Sequence, residues 1–480
     1  MPVELAHLRG SIEFLTLLLD RIQQAHARSK LIVQHSVREL QLRSLEAIAI
    51  RRHLSVSPLK AEFGKRSVNV FRMLETLEQG GKGAKWFRLF DKVFAERNLL
   101  AAFQQVAKND GAAGVDHVHC DEFERQLPDS IWELSDLIKS GTFRPQAIKR
   151  VEIPKPGSTE KRPLGIPTVR DRVVQAAIVN VIEPIFERDF AEHSYGFRPG
   201  RGCKDALRRV DELIKSGHVF MVDADLKGYF DTIPHDQLME RVKGKISDGP
   251  VLKLIESFLT ADIISESARW TPERGAPQGA VLSPLLSNIY LDPLDHLIAA
   301  RGFQMVRYAD DFVILCRTLE DAQRALDLVR SWTETAGLTL HPTKTKLVDS
   351  RTEAFSFLGY TFRGTNHWPR DKSRQKLKDT LRELTKRTSG ESLPSIIQKA
   401  NQSLKGWFEY FQHSSYANVF QDEDGWLRRR LRSLLRKRIK RRGISKGITD
   451  SKRWPNVFFA KQGLFSLKAA HAAVLQPSLR

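Results

Sequence analysis

Phe303-Gln304-Met305-Val306-Arg307-Tyr308-Ala309-Asp310-Asp311-Phe312-Val313-Ile314-Leu315-Cys316 decides how this chain folds. Both flanks are rich in β-branched and aromatic residues and read as strands, so the acidic pair falls at the tip of a β-hairpin. Adjacent carboxylates repel, and each raises the other's pKa unless a cation neutralises them. Oxygen donors paired on a rigid turn suit Mg2+, a hard cation. Holding two ions needs a third carboxylate. Val222-Asp223-Ala224-Asp225-Leu226-Lys227-Gly228-Tyr229-Phe230-Asp231 supplies one, reading as a strand that ends at an acidic residue and turns into a helix. Such an arrangement fits two-metal phosphoryl transfer, in which the ions clamp the attacking and leaving oxygens. Spacing does not choose the ligand, because Asp223 shares a strand face with Asp225 by two-residue alternation. The tetrapeptide from Tyr308 is equally compatible with a solvated Asp-Asp turn. Its neighbours decide.

Ordered blocks surround it. Asp110-Gly111-Ala112-Ala113-Gly114-Val115-Asp116 comes first, then Lys161-Arg162-Pro163-Leu164-Gly165-Ile166-Pro167-Thr168 running on to Gln175. Ser194-Tyr195-Gly196-Phe197-Arg198-Pro199-Gly200-Arg201 and the Asp225 block follow. Pro277-Gln278-Gly279-Ala280 through Asn288, the Tyr308 block, Lys344-Thr345-Lys346 and Phe357-Leu358-Gly359-Tyr360 complete the series. In this order the blocks resemble those of the reverse transcriptases encoded by group II introns, the intron maturases, over about Leu99 to Leu467.

The resemblance implies a right-hand polymerase of α+β class, with fingers, an antiparallel-sheet palm and an α-helical thumb. It implies that Asp225 and Asp310 ligate two Mg2+ ions with Asp311 in support, leaving Asp223 and Asp231 structural. Phe230 would lie against the 2′ position of the incoming sugar, where an aromatic face leaves no room for a ribose hydroxyl. Gln278 and Gly279 would lie under the incoming base pair, glycine allowing close backbone approach. Lys155 and Arg162 flank a hairpin turn from which two cations could grip a triphosphate. Lys344 would act as general acid toward pyrophosphate, with Lys346 competing for that role.

Composition agrees with a nucleic-acid partner. Lys and Arg total 77 against 57 Asp and Glu, a net charge of +20, which suits a polyanion and predicts salt-sensitive binding. Charge alone does not separate RNA from DNA or from an anionic membrane. Cys120, Cys203 and Cys316 are the only cysteines. They form no Cys-x-x-Cys pair, so neither zinc nor a disulfide framework is signalled, and a reducing compartment is expected. The apolar patch from Phe14 to Leu19 is far shorter than a membrane span. A cytoplasmic protein, in bacterial cytoplasm or nucleoid or in an organelle, is the expectation.

At 480 residues the chain should form about three units. Residues 1–85 read as a helical extension, with Leu15, Leu18, Leu19 and Ile22 at helical spacing and a glycine link at Gly80-Gly81-Lys82-Gly83. This extension departs from the family pattern. Residues 86–365 are expected to hold fingers and palm, 366–443 the helical thumb or maturase domain, and 444–480 a short C-terminal DNA-binding-like tail. Ser403-Leu404-Lys405-Gly406-Trp407-Phe408-Glu409-Tyr410-Phe411 resembles the maturase signature, its rings suited to helix packing more than to base stacking.

Leu427, Leu431, Leu434, Leu435 and Ile439 form one apolar helical stripe. The other faces carry Arg428, Arg429, Arg430, Arg432, Arg436, Lys437, Arg438, Lys440, Arg441 and Arg442. So many like charges repel without an anion, which predicts phosphate contact. No His and Cys ligand set of an endonuclease follows the Trp454 to Leu467 tail, so priming from existing DNA ends is expected.

Together these readings point to an RNA-directed DNA polymerase of a group II intron, using deoxynucleoside triphosphates, a DNA primer and a DNA target. It would also bind intron RNA to promote splicing and retrohoming. A non-catalytic RNA-binding splicing factor, or a reverse transcriptase recruited to host repair or defence, are the alternatives.

Overall fold

The computed structural model describes residues 85–475 except 128, 155–160, 442 and 445–447. The expected N-terminal extension, Lys155 and Arg442 therefore lie outside the described residues, Lys85 apart. No described helix is long and apolar enough to cross a membrane.

Helices α1 (Phe90–Val93), α2 (Glu96–Asn109), α3 (Cys120–Arg125) and α4 (Asp129–Lys139) lead into strands β1 (Ile148–Pro154) and β2 (Lys161–Ile166). Next comes α5 (Val169–Glu187), the hub of the first core. Thr168 caps it, its hydroxyl accepting from the Asp171 N–H at 3.2 Å. Val173, Val174, Ile178, Val181 and Ile182 are all fully buried along it, each contributing about 1.5–3 kcal/mol. Gln175 and Asn180 are buried as well, so the helix is enclosed nearly all round and belongs inside a core rather than on a surface. The stretch Asp110–Asp116 crosses its start so closely that a Cβ on Gly114 would lie 2.7 Å from the Thr168 backbone.

The chain continues through α6 (Cys203–Lys215), β3 (Phe220–Ala224), α7 (Tyr229–Thr232), α8 (His235–Lys243), α9 (Gly249–Leu259), β4 (Ile263–Ile264) and β5 (Arg269–Trp270). Then follow α10 (Ser283–Ala300), β6 (Gln304–Tyr308), β7 (Asp311–Cys316), α11 (Leu319–Thr335) and β8 (Lys346–Asp349). One sheet has the order β2-β1-β4-β5, with β1 and β4 parallel. The other, β6-β7-β3-β8, is antiparallel throughout.

Period-two alternation explains why β7 is apolar from Phe312 to Cys316. Phe312, Ile314 and Cys316 face the helical core with Val222 and Ala224. Val313 and Leu315 face a second core with Met221, Val306 and Val348. A strand buried on both faces needs no polar side.

A small meander, β9 (Phe355–Phe357), β10 (Tyr360–Arg363) and β11 (Asn366–Pro369), closes that second core. The rest is helical: α12 (Asp371–Leu384), α13 (Leu393–Phe411), α14 (Ala417–Arg438), α15 (Ile448–Arg453), α16 (Asn456–Lys461) and α17 (Leu467–Leu475). Leu427, Leu431 and Leu434 are buried in a third core and Leu435 is partly so, while Ile439 lies past the helix end and is exposed.

Two expected boundaries do not divide the packing. Residue 365 falls inside the paired hairpin of β10 and β11. Trp454, Phe459 and Leu467, beyond residue 443, share the third core with α12, α13 and α14. The fold is mixed α+β, an antiparallel-sheet palm followed by a helical C-terminal region.

Candidate active site

The hairpin lies where the sequence put it. Tyr308 pairs with Asp311, so Ala309 and Asp310 form a two-residue turn, with Ala309 at φ +59°. Such a backbone is unfavourable for alanine and has to be held. Arg307, fully buried, does the holding. Its guanidinium forks onto buried Asp295, with Nε 2.8 Å from Oδ1, and Nη1 donates to the Ala309 carbonyl at 2.8 Å and to Asn288 Oδ1 at 3.0 Å. Asn288 in turn donates to the Gly196 carbonyl at 2.8 Å. A Cβ on Gly196 would lie 2.2 Å from the Ala309 nitrogen, so only glycine fits behind the turn.

Asp225 follows the end of β3, which pairs with β7. Its carbonyl accepts from the His341 N–H at 2.7 Å, fastening the segment that carries Lys344 alongside. Lys344 Nζ lies 2.7 Å from Asp225 Oδ2. Lys346, opposite Asp223 in the strand register, pairs instead with Glu353 at 3.5 Å. The two lysines are thus assigned to different carboxylates.

Burial, then Asp225, pushes the Asp310 carboxyl above its ordinary value. Asp311 keeps an accessible edge, yet protein crowds it. Lost solvation, then Asp223, Asp310 and Asp225, push it up to about 7. Burial raises Asp223 to about 6, Lys346 opposing and Asp225 adding to the shift. Asp231 is raised by burial, with Arg150 opposing. Among the described residues no three carboxylate, imidazole or thiol groups already meet closely enough to cage an ion. The donor set nonetheless fits one: clustered carboxylates whose charged forms are penalised are what a hard dication relieves.

One loop joins the other expected substrate residues. Ala276 N donates to the Phe230 carbonyl at 2.7 Å, and Gly275 N to the Ile233 carbonyl at 2.8 Å. Two residues on, the Gln278 carbonyl accepts from Gly165 N at 2.6 Å. Gly279 has φ +104°, and a Cβ there would lie 2.4 Å from the Gly165 oxygen. This loop ties α7, with nearly buried Phe230, to β2, which carries exposed Arg162.

The basic helix departs from its expected form. Its charges were expected to repel for want of an anion, but the fold supplies partners. Arg428 pairs with Asp424 at 3.2 Å and Arg436 with Asp450 at 3.1 Å. Arg430 donates to Thr385 Oγ1 at 2.8 Å. Arg432, buried, donates to the Trp454 carbonyl at 2.9 Å and Asn456 Oδ1 at 2.7 Å. Arg438 reaches the Glu391 carbonyl. Arg429, Lys437, Lys440 and Arg441 are exposed. The signature rings pack inward: Phe408 and Phe411 are buried, and the Trp407 ring packs tilted at 4.7 Å from Phe411.

Arg307, Asp295 and Asn288 were not singled out in the sequence. An arginine and an aspartate twelve residues apart carry no local signal, since their meeting depends on α10 packing behind β6.

Comparison with known proteins agrees with this architecture. Residues 153–362 match the family of reverse transcriptases (RNA-dependent DNA polymerases), and residues 374–454 match the group II intron maturase-specific domain. Reverse transcriptases generally use divalent metal ions. Protein YkfC of Escherichia coli (strain K12) is 40% identical over 192 residues, 39% of this chain and 50% of that protein. Group II intron-encoded protein LtrA of Lactococcus lactis subsp. cremoris is 37% identical over 213 residues, 44% of this chain and 35% of LtrA. An uncharacterized 91 kDa protein in the cob intron of Schizosaccharomyces pombe is 28% identical over 364 residues, 61% of this chain and 44% of that protein. The chain spans half or less of the length of these relatives. The chain thus carries a reverse transcriptase domain followed by a group II intron maturase-specific domain.

Proposed function

We propose that the chain is an RNA-directed DNA polymerase of a group II intron that also binds its intron RNA to promote splicing and retrohoming. The observation that carries this reading is the set of Asp225, Asp310 and Asp311 at one end of the antiparallel sheet, held by Arg307 and flanked by Lys344. Asp225, Asp310 and Asp311 would hold two Mg2+ ions. Bound there, the ions would acidify the primer 3′-hydroxyl and offset charge on the transferring phosphoryl group.

The remaining work falls to side chains. Arg162 and Lys155 grip the triphosphate, and Gln278 and Gly279 support the incoming base pair. Phe230 closes the space a 2′-hydroxyl would need, which selects deoxynucleotides. Lys344 leaves Asp225 for the pyrophosphate and gives it a proton as the bond to the α-phosphorus breaks. Residues 86–365 carry this polymerase and residues 366–443 the grip on intron RNA, with 444–480 turned toward DNA. The exposed Arg429, Lys437, Lys440 and Arg441 are the phosphate contacts of the basic helix. The cytoplasm, where nascent intron RNA and DNA target meet, is the proposed compartment.

Primer extension tests this reading. Purified protein should extend a DNA primer on an RNA template with Mg2+ and deoxynucleotides, and less tightly bound template should be seen at higher salt. Asp310→Ala should lower the rate about a thousandfold or more while the melting curve stays in place. Folded protein that binds RNA but never extends would leave the non-catalytic splicing factor as the answer.

A further inference from the structure

Phe197 is a large apolar side chain left 46% exposed, on backbone with φ +58°. For a bulky residue that conformation is a true outlier, and it persists only where the surroundings over-determine it. Here they do. Tyr195 N donates to the Arg307 carbonyl at 2.8 Å, and Arg307 N to the His193 carbonyl at 3.0 Å. The Gly196 carbonyl is held by Asn288. On the far side, buried Arg198 forks onto Glu187 with Nε at 3.0 and 2.9 Å, and its Nη1 donates to the Ser194 carbonyl at 2.8 Å. Both neighbours of Phe197 are fixed inward, and the ring between them is turned out.

Its position gives that a meaning. Gly196 lies directly against Ala309, so Phe197 stands one residue from the Asp310 turn. The sheet order β6-β7-β3-β8 separates two flanks of that turn. Asp225 and Lys344 occupy the β3–β8 flank. The Ser194 segment bridges to Arg307 on β6, so Phe197 belongs to the other flank.

We propose that Phe197 is a positioning residue for the growing end of the template–primer duplex. Its ring packs on the sugar and base edge of the terminal pair and sets the primer 3′-hydroxyl against the Asp310 turn. Aromatic faces bind nucleotides with little regard to sequence, which a polymerase requires. The inference rests on the polymerase reading above: with the triphosphate on the Lys344 flank, the Phe197 flank is left to the duplex.

The full chain is tested as wild type, Phe197→Gly, Phe197→Ala and Phe197→Trp. Each is measured for the Kd of a fluorescent primer–template by anisotropy, the KM for deoxynucleotide, the extension rate and the Tm. Glycine removes the ring and also relieves the backbone, so Phe197→Gly should melt at or above the wild-type temperature while its Kd rises about tenfold. Phe197→Ala should show the same weaker binding with a lower Tm than the glycine variant. Phe197→Trp should bind within about twofold of wild type, and KM for deoxynucleotide should stay put in all three. Unchanged Kd and extension in the glycine and alanine variants would overturn the proposal, as would an effect confined to KM. A wild type that does not extend sinks the polymerase reading instead, and the binding comparison then still decides whether Phe197 meets the duplex.

Discussion

The Asp310 turn and the helix Ala417–Arg438 both concentrate charge of one sign, and the fold treats them in opposite ways. At the turn, the buried arginine is spent on backbone and on Asp295, and the site carboxylates are left crowded together, Asp225 meeting the exposed end of a single lysine. Along the helix, Asp424, Asp450, Thr385 and the Trp454 carbonyl absorb most of the arginines. Charge density in a sequence is therefore a poor guide to binding until the pairs the fold makes internally are subtracted. What remains unsatisfied is what a ligand can meet.

The sharpest way to break this contrast is to remove the turn's anchor. Arg307→Ala leaves Asp295 buried and unpaired, and denaturant unfolding should show a loss of about 3–5 kcal/mol. Replacing both partners, Arg307→Met with Asp295→Leu, should recover most of that stability. Extension should stay impaired, because methionine cannot donate to the Ala309 carbonyl. Full activity in the stable double variant would mean that the turn needs no anchor.

Asp171 offers a buried carboxylate without such a fork. Its Oδ2 accepts from Gln146 N at 2.8 Å, while its Oδ1 has no hydrogen-bond partner. Burial pushes its pKa from 3.8 up to about 6. The folded state then holds a proton that the unfolded chain has released. This group's contribution is complete below about pH 4 and is lost as pH rises to about 6, on the order of 2–3 kcal/mol. Asp171→Asn should flatten the stability profile across that window. A profile of wild-type shape in the variant would assign the dependence elsewhere.

The smallest effects come from the helix. Arg432→Gln should cost about 1–3 kcal/mol of stability without changing the salt dependence of RNA binding. Lys437→Gln should do the reverse. Its stability should stay within about 0.5 kcal/mol, and the slope of log K against log salt should become shallower by about one. Equal slopes for both variants would erase the distinction between paired and exposed cations.

Much of this was legible in the chain. The hairpin at Tyr308–Asp311 was, because alternation and β-branched flanks are local signals. The stripe through Leu427, Leu431 and Leu434 was, because helical period is local too. The Arg307–Asp295 pair and the Lys344–Asp225 contact were not: each depends on where two elements distant in sequence or in packing come to rest. The pairing of Arg432 was misjudged for the same reason, its partners lying across a turn of the chain at Trp454 and Asn456. Residue 365 was the expected end of fingers and palm, yet strand pairing runs straight across it.

The hydroxyl of Tyr360 donates to the Tyr410 carbonyl at 2.8 Å, and the hydroxyl of Tyr410 donates to the Leu358 carbonyl at the same distance. Phe411, beside them, is buried in the core that backs the antiparallel sheet. Swinging α13 away as a rigid lever would break both bonds and uncover that ring, about 4 kcal/mol in all. A swung-out form would then hold well under one per cent of molecules at rest. The helical region is therefore clamped to the sheet at one end, and compliance has to come from bending beyond the clamp. Displacement of that region against the sheet would then be small elastic strain, as in a spring, rather than rotation about a hinge.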